Sequence, residues 1–149
     1  MSNISSRYRF YLIIWLICMG VQLGMISKGW SADVKLIVHP DIDEPISVND
    51  IRNIFLGKKT RWQNKQRIQF ALFTEKKTYE QFITHYVRKT LYQYRNYWRK
   101  KVFTGTGMMP VMFKSCSQSI DYVSRTKGAI SFVPASYSIS NGVREITLD

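Results

Sequence analysis

Short apolar runs alternate with capped helix starts along this chain, and that alternation constrains the fold more than any other feature. Val34–His39 (VKLIVH) is rich in β-branched residues and reads as a strand. Pro40 and Pro45 bracket an acidic loop containing Asp41, Asp43 and Glu44. Ser47 and Asp50 have the spacing of a capping box, in which each side chain satisfies the other residue's amide. Ile51, Ile54 and Phe55 follow at helical spacing, and Gly57 stands where a helix-ending glycine belongs. Arg67–Phe73 alternates Ile68, Phe70 and Leu72, as a strand does. Thr78-Tyr79-Glu80-Gln81 reads as a second capping box, with Phe82, Ile83, Tyr86 and Val87 as the apolar stripe behind it. A third helix is predicted over about Tyr92 to Lys101, with Leu91, Tyr94, Trp98 and Val102 on one face. Ser115 and Gln118 mark another helix start, Gly128 its end, and Ala129–Val133 and Val143–Leu148 two further strands. Strands alternating with helices imply a three-layer α/β lobe, a mixed short sheet flanked by helices. Short apolar strands are what such a sheet needs when helices cover both faces.

The N-terminal segment bears on the compartment. Met1–Phe10 holds Arg7 and Arg9 and no acid, and Tyr11–Met19 (YLIIWLICM) is an almost pure apolar run. It fades through Gly20, Gln22 and Gly24 into Gly29-Trp30-Ser31-Ala32. A positive region, a short apolar core and small residues at a cleavage point follow the order of a secretory signal. Cleavage after Ser31 puts Gly29 and Ser31 at the two small-residue positions. An uncleaved membrane anchor is the rival reading, although Phe10–Ile26 is marginal against the roughly 20 apolar residues a spanning helix needs. Cys18 follows Ile17 inside the apolar run, which argues against a lipoprotein signal. The expectation is a signal peptide or anchor over 1–31 and a single lobe over 32–149. The lobe is then periplasmic or secreted, or held at the inner membrane facing the periplasm.

The formal charge is +12, and +9 once Arg7, Arg9 and Lys28 leave with the signal. Such a surface attracts anions, nucleic acid or acidic membranes. Export places nucleic acid last among these, so small anions, anionic envelope polymers or an acidic protein are the expected partners. Arg88–Lys101 interleaves six basic residues with Tyr92, Tyr94, Tyr97 and Trp98. Inside a cell that pattern suits single-stranded nucleic acid. On an exported chain it reads as core aromatics on one helix face and solvated cations on the other, with a docking surface as the next reading. Cys116 alone survives cleavage, so no intramolecular disulfide forms in the mature chain. A helix start favours a thiolate, but with no His or Cys nearby Cys116 reads as a small inert thiol. His39 and His85 are the only histidines, and no cluster has metal-ligand spacing. No nucleophile motif, acid–base pair or cofactor loop is present in the sequence. The chain reads as a non-enzyme with no cofactor.

Three segments then occur in a telling order. Ile54-Phe55-Leu56-Gly57-Lys58 is followed by Trp62, then Phe103-Thr104-Gly105-Thr106-Gly107, then Lys127-Gly128-Ala129-Ile130-Ser131-Phe132-Val133. Together they resemble the phosphate-type substrate-binding proteins of ABC transporters, with Ser131 and Phe132 where Gly and Tyr are usual. The resemblance covers nearly all of 32–149 and implies one lobe of a type 2 periplasmic-binding-protein-like fold, similar to the short single-lobe relatives. It also implies a phosphate-type ligand and a transporter permease or other envelope protein as partner. In the family an Arg and a Ser-Gly-Thr loop hold phosphate at the helix after the second strand. The corresponding stretch here is Thr74-Glu75-Lys76-Lys77-Thr78, in which only Thr78 matches.

The anion-binding residues expected from these readings are Lys76, Lys77 and Thr78 at one helix start and Ser115 and Ser117 at another, with Thr104 lining the same cleft. Free amides and the positive pole of a helix favour an anion at such places. The plain alternative is ordinary capping beside solvated lysines. Two functions follow. The chain is a substrate-binding-like protein for phosphate or a related oxyanion, or it is an interaction module of an envelope complex or sensor that kept the scaffold and lost the ligand.

Overall fold

The computed structural model describes residues 33–139, 142–146 and 148. The predicted signal or anchor lies outside them, and among the described residues no helix is long and apolar enough to cross a membrane. Strands β1 (Val34–Val38), β2 (Gln69–Phe73), β3 (Val111–Phe113), β4 (Ala129–Pro134) and β5 (Arg144–Ile146) form one sheet in the order β3-β2-β4-β1-β5. β3, β2 and β4 are mutually parallel, and β1 runs antiparallel to both β4 and β5. The helices are α1 (Val48–Phe55), α2 (Lys76–Phe82), α3 (Leu91–Phe103) and α4 (Cys116–Arg125). A π-helical turn over Ile83–Val87 extends α2 and stops at Arg88, whose φ of 56° is costly for a residue with a Cβ. The short strand β3 is an addition to the four strands expected from sequence.

The predicted capping box at α1 forms. Ser47 Oγ accepts the Asp50 amide and the Asp50 carboxylate accepts the Ser47 amide, each at 3.1 Å. At the other end Gly57 adopts φ +62°. Its amide donates to Ile54 C=O and the Lys58 amide to Asn53 C=O, both at 2.8 Å, which closes the helix with a left-handed residue as glycine permits.

Alternation along the strands divides the core between two faces. Leu36, Val38, Leu72, Ile130 and Phe132 belong to the cluster packed under α1, α2 and α3. Ile37, Ala129 and Val133 meet Ile120 and Val123 of α4 on the opposite face. Three layers result, as the sequence pattern predicts. Phe55 is the aromatic hub of the larger cluster, with ring centroids 5.3 Å from Phe70 and 4.6 Å from Phe82. Phe82 stacks on Phe132 at 3.8 Å. On the α4 face Ser131 donates to Ala71 C=O at 3.1 Å and lies 2.8 Å from the Ser119 hydroxyl, so a buried polar pair is satisfied where the family usually has glycine.

The basic loop after α1 is pinned to the sheet. Trp62 is buried, and its indole N–H donates to Gly128 C=O at 2.9 Å. Gly128 has φ +73°, and a Cβ there would stand 2.5 Å from Arg67 C=O. The Lys127–Val133 segment therefore needs glycine on two counts. The acidic loop is structural too. Glu44 accepts from Lys59 at 3.2 Å and from the Gln63 amide at 2.6 Å, and Asp41 pairs with His39 and Gln66.

Candidate functional site

The carboxyl ends of β2 and β3 lie side by side, because the two strands are parallel with Phe73 opposite Phe113. Thr74 ties them together, donating its amide and its hydroxyl to Phe113 C=O at 2.8 and 3.0 Å. Each strand then leads into a helix start, β2 into α2 and β3 into α4. Open α/β sheets bind ligands at such carboxyl edges. Five of the six predicted residues, Lys76, Lys77, Thr78, Ser115 and Ser117, stand at these two starts.

A carboxylate already occupies the first of them. The residue capping α2 is Glu75, not Thr78 as the sequence pattern predicts. Glu75 accepts the Lys77 amide at 3.1 Å, the Thr78 amide at 2.9 Å and the Thr78 hydroxyl at 2.7 Å. Thr78 is the third residue of the helix, within its first turn, and is 4% exposed. The correction has a simple cause. The two oxygens of one carboxylate take two amides and a hydroxyl together, more than a single threonine hydroxyl with two lone pairs can accept. The Thr78 amide and hydroxyl, followed by the Lys77 amide, hold the Glu75 carboxyl below its ordinary range. Lys76 and Lys77 are exposed beside it.

At the second start Ser115 is the cap, as expected. Its hydroxyl accepts the Gln118 amide at 3.4 Å and lies 2.6 Å from the Ser117 hydroxyl. Burial, and then the negative charge of Glu75, push the half-buried Cys116 thiol up. The helix start therefore does not make this cysteine a ready thiolate.

Thr104 is elsewhere. It caps the carboxyl end of α3, where its hydroxyl donates to Lys100 C=O at 3.0 Å and lies 2.9 Å from Thr106 Oγ1. Its loop leads into the amino end of β3, so the length of the sheet separates it from the other five. A cleft of about 410 Å³ at that end is lined by Thr106 and three cations, Lys59, Arg67 and Lys101. Thr104 does not line it.

The basic, aromatic helix α3 closes the end of α1. Tyr94 and Trp98 both donate to Phe55 C=O, at 2.9 and 3.2 Å. Tyr97 donates to Leu56 C=O at 2.8 Å, and the Lys101 ammonium reaches the carbonyls of Leu56 and Gly57 at 3.3 and 3.2 Å. A cation at the negative pole of α1 is favourable, and Lys101 also sits 5.3 Å over the Trp98 ring. Three of the four aromatics in Arg88–Lys101 are thus engaged inside the fold, and Tyr92 alone is largely exposed. The sequence did carry a signal for this, since positions 94, 97, 98 and 101 share one helix face.

Sequence reasoning missed a second feature. A groove of about 610 Å³ runs between α3 and β3, with Leu72, Tyr79 and Tyr94 at its base and Arg95 and Arg99 lining it. Neither this groove nor the cationic cleft includes any of the six predicted residues. Among the described residues no group of His, Cys, Asp and Glu could hold a metal ion.

No family model matches the chain, and no curated protein matches it. Solved structures do. An ABC-type phosphate transport receptor from Vibrio cholerae superposes with a TM-score of 0.52 at 13% identity, over 78% of this chain and 46% of the receptor. PstS from Borrelia burgdorferi superposes with a TM-score of 0.58 at 17% identity, over 78% of this chain and 47% of PstS. The chain thus spans under half the length of either. At these identities the likeness is one of fold: a mixed sheet flanked by helices, similar to phosphate-receptor structures.

Proposed function

We propose that this chain is an exported interaction module built on half of a phosphate-receptor scaffold, and that it does not act as a closed anion receptor. The observation carrying this reading is Glu75. Its carboxylate takes the α2 amides and the Thr78 hydroxyl at the place where the resemblance puts the oxyanion. A free phosphate would meet a like charge there, with only exposed lysines to offset it. The fold keeps its three layers and its edge, so the scaffold remains available for docking. Export rests on the order of charges and apolar residues over 1–31. N-terminal sequencing of the mature protein tests it, and a chain beginning near Ala32 is the expected result.

Isothermal calorimetry on the purified protein tests the central claim. Phosphate and sulfate at millimolar concentration are expected to give no saturable heat. Saturable heat that vanishes in Lys76→Ala/Lys77→Ala would instead establish the substrate-binding reading. The substrate-binding reading would rest on the Ser115 helix start, whose own first turn holds no acid, although the Glu75 charge reaches Cys116 there. Crosslinking in intact cells is expected to recover one defined envelope partner, such as a transporter permease or a membrane sensor.

A further inference from the structure

Among the described residues the helix layer leaves the β3 edge of the sheet partly uncovered. β3 is the outermost strand and pairs with β2 alone among the described strands. Phe113 C=O is taken by Thr74 on the β2 side. Because backbone groups alternate along a strand, the amide and carbonyl of Met112 point away from β2, toward the open edge. The Met112 side chain, in register with Leu72, lines the groove beside α3 together with Met109 and Val102. Around it the surface is unusually apolar. Phe103 is 91% exposed and Met108 75%. Arg95 and Arg99, one turn apart on α3, line the groove, and among the described residues neither is in an ion pair. Among the described residues no acid lines the groove.

We propose that this groove binds an extended segment of a partner protein, added as a strand beside β3, whose groove-facing positions carry apolar and acidic side chains in turn. The proposal rests on the interaction-module reading and says which face docks. An added strand would pair with the free backbone of Met112, and every second side chain would enter the groove. Methionines adapt to varied apolar shapes. Arg95 and Arg99 would meet carboxylates with forked, charge-assisted hydrogen bonds. A second copy of this chain is a poor occupant. It would set one strongly cationic surface against another, on a mature chain of net charge +9 (+12 less Arg7, Arg9 and Lys28).

Fluorescence anisotropy on the full chain tests this, using a short labelled peptide with Leu and Glu in turn at alternate positions, spaced by Ser. Saturable binding is expected, weakened at least tenfold in Arg95→Glu/Arg99→Glu. Binding of the variant should be restored by the peptide with Lys in place of Glu. A melting curve confirms that the variant is folded. Equal binding of the Glu and Lys peptides by the native chain, no binding of either, or binding only to vesicles of anionic phospholipid would each overturn the proposal. A photo-crosslinker at Met109 should reach the partner in cells, and one at Arg125 on the α4 face should not. A partner captured only from Arg125 would remove the groove and leave the module reading standing. Saturable phosphate heat would remove the module reading itself.

Discussion

Gly128 carries two duties at one position. Its carbonyl accepts from the Trp62 indole, and its φ of +73° with Arg67 C=O 2.5 Å from any Cβ rules out a side chain. Gly128→Ala is therefore expected to destabilise the protein by about 2 kcal/mol or more, since left-handed strain and a backbone clash add. The urea unfolding midpoint measures this, and an unchanged midpoint would show that the turn relaxes freely. Gly57 should be the milder case, because the Cβ there would meet the Trp98 ring rather than backbone. Both glycines stood out in the sequence as helix or loop ends. Glu75 did not. A glutamate one residue past a strand and its threonine reads as a solvated charge, and Thr78 with Gln81 mimics a capping box closely. Which of two oxygens wins three donors is settled by reach and lone pairs in three dimensions, and spacing alone does not report it.

At the scale of elements, α3 covers the carboxyl end of α1. The last carbonyls of α1 have no partners within their own helix. Gly57 and Lys58 serve two of them, and Tyr94, Tyr97, Trp98 and Lys101 of α3 supply Phe55 C=O and the carbonyls just beyond it. Burial pushes the Tyr94 phenol well up, so it stays a donor across the neutral range. Tyr94→Phe should cost about 1 kcal/mol, the usual net value of one hydrogen bond, because Trp98 still serves Phe55 C=O. Tyr94→Ala should cost about 3–5 kcal/mol through the cavity it leaves. Thermal melts of the two variants separate the contributions. Long, periodic elements were legible in the sequence: β1, β2, β4, α1 and α4 fall where apolar periodicity places them. The start of α3 was less so, although Thr90 and Gln93 form a reciprocal capping box. β3 escaped entirely. It has three residues, two of them exposed, and it exists because β2 supplies a partner. Val102 sits at the end of the predicted apolar stripe and yet is exposed, because among the described residues no element covers that end of α3.

For the molecule as a whole, acid should be the effective denaturing condition. Burial raises Asp41 and Asp50, but hydrogen bonds outweigh it: Gln66 and His39 act on Asp41, Ser47 and Lys59 on Asp50. Both carboxyls lie below the ordinary value of 3.8, and Glu75 lies below 4.5. The unfolded chain therefore binds protons at higher pH than the native one. The stabilisation is complete above those ordinary values and is lost as pH falls through the lower folded ones. Urea midpoints measured from neutral pH down to about pH 2 should be flat at first and then fall, with Asp50→Asn flattening part of the decline. The sequence legibly encoded this architecture of one lobe with two packed faces. What it left hidden is the margin beside β3, which no described strand pairs, since no residue pattern marks an open edge.

The Glu75 carboxylate can also be regarded as a ligand that never leaves. Tethering by one short stretch of chain gives it an effective concentration on the order of millimolar or above at the α2 amides. A free oxyanion must exceed that concentration merely to compete, while the tether is insensitive to what the surroundings contain. Receptors that close on a dissolved ligand report its supply. Under the proposed function, a lobe that carries its own occupant would hold one state whatever the supply. Under the proposed function its constancy is the useful property, for a module whose partner needs the same surface at every phosphate level.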